Sequence, residues 1–272
     1  MKRIFLTGAS SGIGLIAAQA LCQRGHHVWG TSRSRDRLPN LPGFHATVLD
    51  LNDDRSIDAG FAEAVAAAGE FDVLINNAGE GVFGPLEGFS SDALRAQFQT
   101  LLVGPLRLIA LALPAMRERN SGLIINISSL AGELPVPFLA PYSAAKSALS
   151  TFSDGLNLEL THTGIRVVDV CPGDFATQFH PSTERVGDRL SQAYAPNLEI
   201  AWQAIDRNMQ RAPDPTLVAD VIVRIIDGEI ARPAVAVGDF FQARIAPTLA
   251  RRSLRAWVHW GLRAYYGLRK GR

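Results

Sequence analysis

The sequence predicts an α/β domain built on a parallel sheet. Three observations point to it. Short apolar, β-rich runs alternate with helical patterns along the chain. A glycine-rich loop joins the first run to the first helical pattern. One run, residues 122–127, is apolar almost throughout, as a strand covered on both faces should be. At 272 residues the chain is long enough for one domain of ordinary α/β size, or at most two small ones. Its 47% hydrophobic and 19% charged content is enough to bury a sizeable core and speaks against disorder.

The elements follow in order. Residues 3–7 read as a first strand ending in the glycine loop. Residues 12–24 read as a helix, with Ile13, Ala17 and Leu21 at four-residue spacing and a stop near Gly25. Strands are expected at 27–31 and 45–49, an Ala-rich helix closed by Gly69 at 55–68, and a fourth strand at 71–75. A long helical pattern covers 91–119, the fifth strand is 122–127, and a helix at 141–161 leads to a sixth strand at 165–170. Residues 174–215 are mixed, with Pro, Gly and scattered aromatics. A helix at 216–226 and a short strand at 234–237 complete the pattern. No repeat, low-complexity stretch or linker divides it.

Several classes are excluded or disfavoured. Cys22 and Cys171 cannot form a disulfide framework or a CxxC metal site and fit a reducing compartment. The six histidines show no ligand spacing, so no catalytic metal is expected, and His180 is given no role. Met1-Lys2-Arg3 is followed by too few apolar residues for a signal peptide, and no uninterrupted apolar run approaches the ~18 residues of a membrane span. The expectation is a cytoplasmic protein.

Residues 7–14 read Thr-Gly-Ala-Ser-Ser-Gly-Ile-Gly between a strand and a helix, where a dinucleotide pyrophosphate would rest on the helix N-terminus. The candidates are Gly8, Ser10, Ser11, Gly12, Ile13 and Gly14. The spacing is G-x-x-x-G-x-G, and by itself it is also compatible with a plain strand-to-helix turn. At the end of the second strand, NAD sites place an acid and NADP sites an arginine. Here Ser32 stands where the acid is expected and Arg33 follows it. A guanidinium pairs with a 2′-phosphate that a carboxylate would repel, so the position favours NADP(H). The alternative is a solvated loop cation beside Arg35 and Arg37.

Four further motifs occur in register. Asn76-Asn77-Ala78-Gly79 follows the fourth strand and Asn126-Ile127-Ser128-Ser129 ends the fifth. Tyr142-Ser143-Ala144-Ala145-Lys146 opens the next helix, and Pro172-Gly173 follows the sixth strand with Thr177 four residues on. Together with the glycine loop these resemble the short-chain dehydrogenase/reductase family of the Tyr-x-x-x-Lys type, over about residues 1–240. The resemblance implies a single Rossmann-like domain, a doubly wound parallel sheet of seven strands in the order 3-2-1-4-5-6-7. It also implies hydride transfer between NAD(P)(H) and a carbonyl or alcohol. Carried over by position, Ser129, thirteen residues before the tyrosine, Tyr142 and Lys146 are the catalytic set. Asp50 and Leu51 meet the adenine side, and Asn77, Ala78 and Gly79 line the cofactor cleft. Pro172, Gly173 and Thr177 hold the nicotinamide end, with Tyr142 and Lys146 beside the cofactor.

The chemistry is consistent with those roles. Tyr142 and Lys146 are i and i+4 on a helix and project on one face. A phenol with pKa near ~10 is a poor base at neutral pH, so a buried cation is expected to lower it. Ser129 would donate to the substrate oxygen where charge develops.

One position departs from the family. It usually carries an asparagine in the helix before the fifth strand, where alignment through Gly104 and Pro105 puts Leu101, and there is no Asn anywhere in 91–119. Leucine has no polar side-chain atom. Pro105 lacks an amide hydrogen, so the carbonyl four residues back, that of Leu101, loses its helical partner. The hypothesis is that this carbonyl holds a relay water; the competing reading is a slow or degenerate enzyme.

The substrate side is expected from 80–83, 130–138 and the insert 174–215. Val82, Phe83, Leu134, Val136, Phe138, Phe175, Phe179, Tyr194 and Trp202 suggest a mainly apolar pocket for a lipophilic ketone or alcohol. Glu80, Glu133 and Asp174 belong either to that pocket or to solvated loops. The alternative function is a non-catalytic NADP-binding sensor or scaffold on the same fold. A homo-oligomer through the 91–119 and 141–161 helices is expected by resemblance only.

The net charge of +1 hides an asymmetry. After Asp239 there is no acid, and residues 251–272 hold seven Lys/Arg, leaving the first 250 residues at −6. The body is acidic and carries no nucleic-acid-binding motif, so no nucleic-acid partner is expected. In the extension 241–272, Leu254, Trp257, Val258, Gly261, Leu262, Tyr265 and Leu268 recur at helical spacing, with Arg252, Arg255, His259 and Arg263 mostly opposite. Three readings stay open: packing on the core or a second subunit, covering the pocket, or docking on a membrane.

Overall fold

The computed structural model describes residues 1–177, 183–187, 191–239, 241, 245, 248 and 255–268. Phe179, His180, Arg251, Arg252, Leu254, Arg269, Lys270 and Arg272 lie outside them, as do the side chains of Arg255 and His259.

The main-sheet strands are β1 (Arg3–Leu6), β2 (His27–Ser32), β3 (Phe44–Val48), β4 (Val73–Asn76), β6 (Gly122–Ile127), β7 (Ile165–Pro172) and β9 (Ala234–Val237). All pair in parallel in the order β3-β2-β1-β4-β6-β7-β9. Counting main-sheet strands alone, this is the expected doubly wound order, and the fold is Rossmann-like and single-domain.

Strand alternation divides the core between the two faces. Ile4 and Leu6 of β1 join Ile75, Ile125, Val170 and Ile222 in one buried cluster. There α1 (Gly12–Gln23) packs with α8 (Thr216–Ile226). Phe5, between them in sequence, turns to the opposite face with Leu74, Ile124, Leu108 and Met116. That face is covered by α2 (Asp54–Ala68), α4 (Gly104–Glu118) and α5 (Ala140–Glu159). The chain reverses direction across the sheet between β1 and β4, so a crevice opens at their carboxyl ends, the switch point where such sheets bind ligands.

Local structure adds detail to this pattern. The long 91–119 pattern is helical but not uniform: α3 (Ser91–Phe98) passes through a π turn (Gln99–Val103) into α4, and the Gly104 amide donates to the Gln99 carbonyl. By length and composition Ser91–Glu118 passes as a membrane-crossing helix, yet Leu108, Ile109, Ala112 and Met116 are buried in the core. A two-residue ladder pairs β5 (Val82–Phe83) with β8 (Glu184–Arg185). The insert contains α6 (Ser191–Tyr194) and α7 (Asn197–Gln210), and the extension contains α9 (Arg255–Tyr266).

Candidate active site

The carboxyl ends of the strands open into one cavity of about 440 Å³. At one end lie Gly8, Ser10, Ser11, Gly12 and Ile13. Gly8 and Gly12 take φ of +72° and +53°, which a side chain would strain. A Cβ on Gly8 would stand 2.8 Å from the Ala78 backbone. Gly14 does not line the cavity. A Cβ there would fall 2.1 Å from the Gly8 carbonyl and 2.4 Å from the Asn77 amide, so its role is close packing of the loop on the helix. Asn77 is a staple as well as a wall: its side-chain amide donates to the Thr7 carbonyl at 2.9 Å and the Gly8 carbonyl at 3.2 Å. Thr7 Oγ1 in turn accepts from the backbone amides of Asn77 and Ala78. The loop is thus fixed to β4 before any ligand arrives.

Arg33 and Arg37 line the same end with Asp50, Leu51, Ala78, Gly79 and Glu80. Arg33 Nη1 stands 3.7 Å from Glu80 Oε2, and Thr100 Oγ1 approaches Glu80 Oε1 at 3.5 Å. The cradle fits a nicotinamide dinucleotide: glycines without Cβ atoms on the phosphate side, a guanidinium and no acid at position 32 on the ribose side. Pro172, Gly173 and Thr177 also line the cavity, and a Cβ on Gly12 would stand 3.4 Å from Thr177.

Ser129, Tyr142 and Lys146 line the same cavity, and a Cβ on Gly79 would stand 3.7 Å from Lys146 Nζ. Ser129 ends the segment after β6 and caps the short turn Leu130–Gly132 by accepting from the Ala131 amide at 3.1 Å. Its hydroxyl is hydrogen-bonded to Tyr142. Ser128 instead turns toward β7, to the Val170 carbonyl at 3.3 Å and Cys171 Sγ at 3.2 Å. The thirteen-residue spacing and the geometry therefore select the same serine. Lys146 is buried, donates to the Ile127 carbonyl at 2.7 Å, and sits 5.9 Å from the centre of the Tyr142 ring. The helix carrying both is moored from below: Asn76 donates to Asn126 at 2.9 Å, Asn126 to Ser153 at 2.8 Å, and Ser153 to the Leu149 carbonyl at 2.8 Å.

The profile of the short chain dehydrogenase family matches residues 2–186. The chain belongs to the short-chain dehydrogenase/reductase family. It is 32% identical to the 3-ketodihydrosphingosine reductase of Bacteroides thetaiotaomicron over 98% of both chains. A solved short-chain dehydrogenase from Streptomyces avermitilis, also 32% identical, superposes with a TM-score of 0.81 over 98% of each chain. An actinorhodin polyketide ketoreductase variant solved with NADPH is 29% identical, with a TM-score of 0.75 over 89% of this chain and 97% of that one. As a short-chain dehydrogenase/reductase this chain is a hydride-transfer oxidoreductase with a nicotinamide cofactor.

The electrostatics correct one expectation. Tyr142 is not lowered by its lysine; burial pushes it up to about 12, against the opposing hydrogen bond from Ser129 and with a further push from the charge of Asp174. Removing water from a phenolate costs more than a single hydroxyl donor returns. Lys146 is lowered to about 8 by burial, which the negative charge of Asp169 partly offsets. In this short-chain dehydrogenase/reductase, burial therefore favours the protonated phenol of Tyr142.

On the substrate side, Val136, Phe175 and Trp202 line the cavity as expected. Phe83, Phe138 and Tyr194 stand behind it as an aromatic cluster, with Phe83 4.9 Å from Trp202 and Phe138 6.0 Å from Tyr194 by ring centres. Val82 is spent on the β5–β8 ladder, and Leu134 is not on the wall. Asp174 and Glu80 line the cavity; Glu133 does not. Sequence reasoning missed Leu139, Ile205, Asn208, Met209 and above all Tyr266, which is buried and reaches the cavity from α9. Tyr266 lies outside the apolar set read from the tail, and only its four-residue spacing from Leu262 signalled an inward face. Leu101 is fully buried beside Gly79, where a Cβ would stand 3.4 Å from its Cδ2.

Proposed function

We propose that this chain is an NADP(H)-dependent reductase of lipophilic carbonyls, or the alcohol dehydrogenase of the reverse direction, acting on CH–OH groups. The observation that carries the reading is convergence: Ser129, Tyr142 and Lys146 line the same cavity as the glycine cradle and Arg33. Bound reduced nicotinamide supplies the hydride. The residues of the chain supply the rest. Ser129 donates to the carbonyl oxygen as negative charge gathers there. Tyr142, held protonated by burial, passes its proton to that oxygen, and the ammonium of Lys146 neutralises the phenolate left behind. Cofactor phosphate contacts fall to Ser10, Ser11, Gly12 and Ile13, and the 2′-phosphate to Arg33 with Arg37.

The lipophilic substrate is supported by the wall of Val136, Leu139, Phe175, Trp202, Ile205 and Met209. It is also supported by the relative named as a reductase of 3-ketodihydrosphingosine. The test is coenzyme oxidation with NADPH and NADH against a panel of long-chain and cyclic ketones, with Tyr142→Phe as control. NADPH consumption on an apolar ketone, abolished by the substitution, is expected. NADPH binding with no turnover on any ketone would replace this reading with a non-catalytic NADP sensor.

A further inference from the structure

The extension ends in a helix with two unlike faces. Tyr266 is buried in the cavity wall. Just beyond the helix, Leu268 packs on the cluster of Phe83, Leu139 and Leu198. Asn208 of α7 donates to Tyr265 Oη at 2.9 Å. These contacts fix how α9 is rotated on the body. Trp257 precedes Tyr266 by nine residues, which at about 100° per residue puts the two on opposite sides of the helix. Trp260, one turn after Trp257, is on the outer side with it. Trp257 is 66% and Trp260 65% exposed, the two largest aromatic surfaces left to solvent among the described residues.

We propose that this outer face docks on the surface of an anionic lipid bilayer. Two independent features select that partner. Paired exposed tryptophans are the side chains that settle at the level of lipid headgroups, where an apolar ring and a polar N–H are both satisfied. The segment that bears them, residues 251–272, contains seven Lys/Arg and no Asp/Glu, on a body that is otherwise acidic. A basic helix with an aromatic face is attracted to a negative surface and anchored there by its rings. A second copy of the chain is the poorer fit. Two-fold pairing of this face would bring one basic segment against its own duplicate, and like charges would oppose the contact. Tyr266 at the end of α9 lines the cavity, so docking sets the cavity beside the lipid. The inference concerns the outer face alone and stands whether or not the reductase reading holds.

The experiment is co-sedimentation of the full chain with vesicles of phosphatidylcholine alone and of phosphatidylcholine mixed with phosphatidylglycerol. The comparison variant is Trp257→Ser with Trp260→Ser, and thermal unfolding establishes that it folds. Wild type is expected to sediment with the anionic vesicles, to stay in solution with the neutral ones, and to lose binding as salt is raised. The double variant should bind the anionic vesicles at least about tenfold more weakly at an unchanged melting temperature. If the variant melts earlier, the blue shift of wild-type tryptophan emission on anionic vesicles decides instead: a shift supports docking and its absence overturns it. Wild type left in the supernatant overturns the proposal, as does a folded double variant that binds equally well. A wild-type dimer that becomes monomeric in the variant, with neither binding vesicles, assigns the face to a second copy and likewise overturns it.

Discussion

Lys146 donates its ammonium to the carbonyl of Ile127 at 2.7 Å, which ties the second turn of α5 to the end of β6. The bond orients a buried cation toward Tyr142 and leaves burial to lower its pKa to about 8. Because kcat/KM reports groups of the free enzyme, it should decline as pH rises through about 8, where the lysine loses its proton. Tyr142, at about 12, should contribute no limb below that region. A flat profile across pH 8 would show that the charge of Lys146 is not required.

The same shift has a stability consequence whose sign is fixed. Lys146 ordinarily titrates at 10.5, and in the fold at about 8, so the native state holds this proton less tightly than the unfolded chain. The penalty is full below the folded pKa and fades as pH climbs toward the unfolded one. The melting temperature of Lys146→Met relative to wild type should therefore hold constant up to the folded pKa of about 8 and fall from there to about pH 10, whatever the difference at neutrality. Parallel thermal scans at three pH values measure it, and a constant difference would contradict the lysine's desolvation.

Tyr142→Phe removes the only proton the mechanism gives to the product oxygen. Turnover should drop about 10²–10⁴-fold, the usual worth of a positioned acid, while coenzyme affinity stays within a few-fold. Ser129→Ala, which removes one donor to the developing oxyanion, should cost about 10²–10³-fold in kcat. Coenzyme titration by fluorescence, run beside the kinetics, separates loss of chemistry from loss of binding.

Arg33 governs coenzyme choice if it meets the 2′-phosphate. A charged hydrogen bond lost from such a site costs about 1.5–3 kcal/mol, so Arg33→Ala should shrink the NADPH-over-NADH preference about 10–100-fold, mainly in KM. Glu80, 3.7 Å from Arg33, competes for the same guanidinium. Glu80→Gln should therefore tighten NADPH a few-fold and leave NADH unchanged.

The fold and the cofactor end were legible because their signals are local. The alternation of Ile4, Phe5 and Leu6 names both faces of the sheet, and Gly8 and Gly12 mark backbone that turns through positive φ. Ser129, Tyr142 and Lys146 were legible by spacing. What stayed hidden depends on contacts distant in sequence. Glu80 reaches Arg33 across 47 positions, and Tyr266 enters a cavity opened by Gly8. The pKa of Tyr142 depends on how much water the surrounding chain excludes, which no pairwise spacing reveals. Phe83 backs Trp202 and Phe138 in turn backs Phe83, and only packing distinguishes wall from backing.

Leu101 tests whether the side chain usually found there matters to this chain. It is fully buried within the π turn, and Pro105 offers no amide hydrogen to its carbonyl. Leu101→Asn would bury an amide where the leucine now packs, which should lower stability by about 2–3 kcal/mol. If the backbone carbonyl already holds the relay water, turnover should change less than about tenfold. A gain of several orders of magnitude would mean that the natural chain is crippled at this position.

Tyr266 should set how the cavity measures its substrate. It is buried, lines the cavity within reach of the charge of Asp174, and is carried by a helix held to α7 through Asn208 and Tyr265. Tyr266→Ala removes a ring from that wall and leaves Ser129, Tyr142 and Lys146 untouched. Small ketones, which need the wall to hold them against the reacting atoms, should lose about tenfold in kcat/KM. Bulky or long-chain ketones, which fill the vacated space, should lose less or gain, so the selectivity ratio moves toward the larger substrate. The accompanying destabilisation should be about 2–4 kcal/mol, as for other buried aromatic truncations. A series of ketones of increasing chain length reads the ratio directly. If every member falls by the same factor, Tyr266 supports the fold of the extension without shaping the pocket.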